Sequence, residues 1–115
     1  MRVASLVIPP GPGHIRTARL LAASVARQSG FTSEVVEDVR LAVSEACLLH
    51  LGLAQPIHVD FDADDDALVV GVGPSALPSV AEPESQLAMT LLRAIVPILE
   101  LGDDGLRMTW PVGSD

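Results

Sequence analysis

Glu45 is the residue of this chain best placed to do chemistry. It stands in the run Leu41-Ala-Val-Ser-Glu-Ala-Cys47, where a carboxylate is costly to bury unless it is hydrogen-bonded or opens into a polar cleft. Such a Glu can orient or deprotonate a nucleophile beside a bound nucleotide. The plainer reading is a solvated helix-face Glu, paired with Arg40 or with a neighbouring segment. Four residues on, at a distance of about 5–6 Å between Cβ atoms, where an oxygen ligand could join Glu45 in holding a metal, the chain has Leu49.

Other reactive side chains offer less. Cys47 is the one cysteine, so no disulfide forms within the chain, and burial as a small hydrophobe is expected. His14, His50 and His58 are scattered without metal-ligand spacing, and no metal site is expected. Asp60, Asp62, Asp64, Asp65 and Asp66 invite a calcium reading. They lack the Gly and the terminal Glu that an EF-hand loop requires, so a solvated hairpin tip is expected.

Helices and strands must position Glu45. Val3 to Ile8 reads as a strand, possible at a sheet edge, closed by Pro9-Pro10 and the loop Gly11-Pro-Gly13. From His14 onward, Ile15, Ala18, Leu21 or Ala22, Val25 and Ala26 recur at helical spacing, and Gly30 ends the run. Arg16, Arg19 and Arg27 lie off that stripe. Thr32 or Ser33 caps the next helix, and Glu34, Glu37 and Asp38 in its first turns complement the helix dipole. Its apolar face runs through Val36, Val39, Val43, Ala46, Cys47 and His50 to about Leu53.

Ile57 to Phe61 and Ala67 to Val72 alternate about the Asp62–Asp66 turn and predict a hairpin. Gly73 to Pro83 reads as a loop. Gln86 to Val96 reads as a helix with Leu87, Leu91 and Ile95 in register, stopped by Pro97. Ile98 to Leu101 and Leu106 to Val112 predict a second hairpin about Gly102–Gly105. The order β-α-α-β-β-α-β-β predicts an α/β fold, a two-layer α/β sandwich with three helices on a mostly antiparallel sheet.

The bulk properties narrow the partners. With 115 residues, 49% hydrophobic and 19% charged, the chain suits a single domain over residues 1–115 with a packed core. Its net charge of −8 opposes nucleic-acid backbone binding and suits a basic protein partner. Two phenylalanines and one tryptophan give no base-stacking platform. No apolar run is long enough for a membrane span, and nothing at the N-terminus reads as a signal peptide. A cytoplasmic location is expected.

Arg40-Leu-Ala-Val-Ser-Glu-Ala-Cys47, after the acidic stretch Glu34 to Asp38, resembles the second helix of the anti-sigma-factor serine kinases. These are the RsbW- and SpoIIAB-like branch of the GHKL (histidine-kinase-like) ATPase superfamily. The order of elements matches that family across nearly the whole chain. The resemblance implies a Bergerat-like fold and a small cytoplasmic regulator, usually dimeric. Such a protein holds a sigma factor off RNA polymerase and phosphorylates a serine of a STAS-type anti-anti-sigma factor with Mg-ATP. It implies that Glu45 is the catalytic carboxylate, and that an Asn binding magnesium belongs where Leu49 stands. The family's Asp-x-Gly-x-Gly turn, whose Asp reads adenine, matches Val70-Gly-Val-Gly-Pro-Ser75, with Gly71 at the Asp and Gly73 at the first Gly. The family's Gly-rich lid matches residues 79–90, which hold no Gly and imply a reduced lid. The first-helix Arg that contacts the sigma factor and the antagonist matches Arg19 or Arg16.

Three departures fall on the groups that hold magnesium, adenine and phosphates. They imply weak or absent ATP binding, with no bound cofactor and ATP and Mg present only if the altered site still works. The expected function is an anti-sigma-factor-like regulator acting by protein contact in a partner-switching system that controls transcription. Its partners would be a sigma factor, a STAS-type anti-anti-sigma factor, or both. A homodimer is implied by the family and by the apolar strand Leu68-Val-Val70. The competing reading is an active ATP-dependent serine/threonine-protein kinase using Glu45. A third is a pocket for an apolar ligand, lined by Leu41, Leu48 and Leu49.

Overall fold

Strand alternation decides which side chains meet the helices, and here it divides the sheet into an apolar and a polar face. The computed structural model describes residues 1–74 and 83–112. Its strands are β1 (Arg2–Ile8), β2 (Ile57–Ala63), β3 (Ala67–Gly73), β4 (Ile98–Gly102) and β5 (Gly105–Pro111). They form one sheet in the order β1-β2-β3-β5-β4. Every pairing is antiparallel, and β1 lies at an edge. Ile57, Val59 and Phe61 of β2, Leu68, Val70 and Val72 of β3, and Leu106, Met108 and Trp110 of β5 are all buried. The residues between them on β2, His58, Asp60 and Asp62, are exposed or half-buried and make the opposite face.

Three helices cover the apolar face: α1 (Ile15–Gln28), α2 (Ser33–Leu51) and α3 (Pro83–Ile95). The expected two-layer sandwich is therefore present. α2 is the middle helix, packed against α1 on one side and α3 on the other. Ala18, Ala22, Ala23 and Ala26 give α1 a buried face of small side chains, which lets it approach α2 closely. Gly30, at φ 86°, turns the chain out of α1 in the left-handed conformation that glycine adopts freely. Thr32 then caps α2, its hydroxyl oxygen accepting from the Val35 N–H at 3.3 Å. Each fully buried large side chain in this core, such as Phe61, Leu68 or Leu92, contributes about 1.5–3 kcal/mol.

Two expectations are corrected by burial. The face of α3 that meets the core is Ser85, Ala88, Met89 and Leu92, continued by Val96 just past its end. Leu87 is 73% exposed, and Leu91 and Ile95 are only half-buried. The adjacent leucines at 91 and 92 allow two helical registers, and packing selects the one through Leu92. Leu68 and Val70, expected to support a dimer, are fully buried in the chain's own core and offer nothing to a second copy.

Candidate functional site

α2 carries Glu45 because its inner stripe is continuous and its outer stripe is not. Val36, Val39, Val43, Ala46, Cys47 and His50 all turn inward and are buried. Leu41 and Leu48 face outward, 40% and 44% exposed. Glu45 is half-buried between these zones. Its carboxylate has no hydrogen bond or ion pair among the described residues. The Arg40 guanidinium, expected as a possible partner, bonds Glu37 instead.

Leu49 belongs to the core, at 6% exposed. It does not converge with Leu41 and Leu48, so the three do not line one apolar pocket around Glu45. His50 is buried beside it. Its Nδ1–H donates to the Ala46 carbonyl at 2.8 Å, since a carbonyl can only accept. Its Nε2 is buried without a partner among the described residues. Burial raises the Cys47 thiol from its ordinary 9.0 to about 12, which leaves it a small apolar side chain rather than a nucleophile.

β3 positions the other two expected nucleotide contacts. α2 leads through residues 52–56 into the start of β2, and β2 at His58 pairs with Gly73 at the end of β3. Leu49 and Gly73 thus lie toward the same end of the sheet. Gly71 lies two residues back on the same strand. Val70 and Val72 point into the helix layer, so Gly71 faces the other side, opposite Asp60 and Arg107. A side chain built on Gly71 would point away from Glu45. Magnesium takes oxygen ligands and the Leu49 side chain has none, while Gly71 has no carboxylate to read adenine. The described residues at these positions do not fit Mg-ATP held in the family's manner. The rest of the expected site, Ser75 and the lid from Ser79, falls on residues 75–82, outside the described residues.

Arg16 and Arg19 are both exposed on α1. Arg16 shares an outward stripe with Leu20 and Arg27 at helical spacing, and Leu20 is 63% exposed. Arg19 lies on the flank of that stripe.

Alternation also places a feature that motif reading missed. A groove of about 680 Å³ lies on the polar face of the sheet, floored by Gly71 and Gly73 and walled by Asp60, Asp62, Glu100 and Arg107. Strand parity could have found it, because Gly71 and Gly73 share their parity with Val69 rather than with the buried Val70 and Val72. The aspartates divide between two tasks. Asp60 and Asp62 hold Arg2 on this face, while Asp64 Oδ1 accepts from the Asp66 and Ala67 N–H groups and closes the β2–β3 turn. Among the described residues, no group of three or more His, Cys, Asp or Glu is placed to hold a metal. No helix among them is long and apolar enough to cross a membrane.

A family model described as a histidine kinase-like ATPase domain matches residues 8–110. No curated protein matches the chain.

Proposed function

The chain belongs to the histidine kinase-like ATPase domain family, and from that premise we propose that it acts by binding proteins rather than by turning over ATP. In this reading it is an anti-sigma-factor-like regulator in a partner-switching circuit that controls transcription, working in the cytoplasm. Its partners are a sigma factor, a STAS-type anti-anti-sigma factor, or both. The observation that carries the reading is Leu49, a position spent on the core one turn from a retained Glu45. Phosphoryl transfer depends almost wholly on positioning and electrostatic stabilisation of the phosphates. A site without its magnesium oxygen and without a carboxylate at residue 71 supplies little of either.

The contact surface is the outward stripe of α1. Arg16 and Arg19 are exposed, and arginine is a favoured interface anchor. Neighbouring Leu20 adds apolar area that a partner would cover.

One observation favours the kinase reading: Glu45 is half-exposed and unpaired among the described residues, as a working base would be. A single set of experiments separates the two. The immobilised chain captures its partner from native cytoplasm, and the identified partner is then titrated with and without Mg-ATP. The expected result is a sigma factor or STAS protein bound one to one, with an affinity indifferent to Mg-ATP and reduced by about tenfold or more in Arg16→Glu or Arg19→Glu. Transfer of labelled phosphate to a serine of that partner, lost in Glu45→Ala, would establish the kinase instead.

A further inference from the structure

The polar face of the sheet has its own charge pattern, set by cross-strand register. One row runs Ser5, Asp60, Gly71, Arg107, Glu100 across all five strands. Adjacent strands lie about 4.8 Å apart, so the bare position at Gly71 leaves a trough about 10 Å wide between the Asp60 and Arg107 backbones. Gly73 extends the bare floor by one more pair of residues. The resulting groove, about 680 Å³, lies within the range of about 300–1,000 Å³ usual for binding sites.

The walls are predominantly acidic. Asp60 and Asp62 stand on one side, and Glu100, Asp103 and Asp104 on the other. Two guanidinium groups oppose these five carboxylates. Arg2 is already engaged, with its Nε 3.2 Å from Asp62 and a terminal nitrogen 3.4 Å from Asp60. Arg107 is exposed. β3 is hydrogen-bonded on both sides, so the strand that floors the groove has no edge open for strand addition. An occupant of the trough over Gly71 lies on the face of the sheet and is held by its side chains.

We propose that this groove receives an extended, arginine- or lysine-bearing segment of a partner protein, its backbone crossing Gly71 and its cations reaching the carboxylates of both walls. Charge complementarity selects that occupant. A second copy would bring the same excess of carboxylates face to face, and a nucleic-acid backbone would be repelled. The site lies on the sheet, apart from the helix layer that carries α1, and it does not depend on the state of the nucleotide site.

Gly71 makes the test clean. A Cβ added there meets nothing closer than the Leu106 carbonyl oxygen at 4.0 Å. Gly71→Ile therefore fills the trough without changing charge, in a strand where a β-branched residue is well accepted. The probe is the blocked peptide (Arg-Ser)4, titrated calorimetrically at low salt into wild type, Gly71→Ile and the charge variant Glu100→Gln, with folding checked by circular dichroism. The expected result is one-to-one binding that weakens by about tenfold or more in Gly71→Ile and by about threefold in Glu100→Gln, with no binding of (Glu-Ser)4. Three results would overturn the proposal. One is unchanged affinity in a folded Gly71→Ile, which would mean diffuse attraction to an acidic surface. Another is equal binding of the acidic peptide. The third is a sedimenting dimer of the free chain that Gly71→Ile dissociates, which would assign the groove to a second copy.

Discussion

Glu45 and Leu49 stand one helical turn apart on α2, yet Glu45 is half-exposed while Leu49 is packed into the core. A difference of about 40° around the helix, from 3.6 residues per turn, is enough to place the two on opposite sides of the water boundary. The carboxylate has kept its access to solvent. Its neighbour is part of the hydrophobic interior.

Leu49→Asn restores the family residue in sequence but sets an amide in an apolar environment. It loses the buried leucyl area and leaves polar atoms to be satisfied, so it costs about 2–4 kcal/mol of stability. The unfolding midpoint in urea should fall accordingly, and binding of Mg-ATP should not appear, because residue 71 still faces the other side of the sheet. Unchanged stability together with new nucleotide binding would show that the position still opens on a polar site.

Gly105 is held to glycine by contact as well as by conformation. Its φ is 122°, and a Cβ there would lie 2.0 Å from the Val72 carbonyl oxygen. Gly105→Ala therefore forces β5 away from β3 and should cost more than about 2 kcal/mol. Gly102, at the other end of the same turn, has nothing nearer than 4.0 Å to a new Cβ. Gly102→Ala should cost less than about 1 kcal/mol by the same denaturation measurement.

Cys47 makes stability fall at alkaline pH. Burial raises its folded pKa from 9.0 to about 12, so between those values the unfolded chain binds fewer protons than the folded one. Stability is then unaffected by this thiol below pH 9, declines as pH rises above it, and levels off beyond pH 12. Urea titrations in that alkaline range on wild type and Cys47→Ala check it, the variant losing the Cys47 share of the slope. The native thiol should also resist an aromatic disulfide reagent at neutral pH until the chain is unfolded.

Much of the fold was legible because local chemistry carried it. The Asp62–Asp66 and Gly102–Gly105 turns, the Thr32 cap and the inward stripe of α2 all stand where residue type and spacing place them. The neighbouring of β3 and β5 was not legible, since α3 and β4 intervene in the chain and only packing selects the pairing. The face of α3 is not legible for a similar reason, the adjacent leucines at 91 and 92 leaving the helical register open. At the site, α2 stands where its apolar stripe predicts it, but a motif position such as Gly71 carries no information on direction. The burial of Val70 and Val72 decides that direction, and it turns the expected adenine-reading position toward the groove instead.

In the proposed reading the histidine kinase-like ATPase scaffold persists while its nucleotide site does not. Calorimetric titration of Mg-ATP into the purified chain separates this reading from that of an active kinase. The predicted result is no saturable heat at millimolar nucleotide. A one-to-one isotherm of micromolar affinity that needs magnesium and disappears in Glu45→Ala would contradict it.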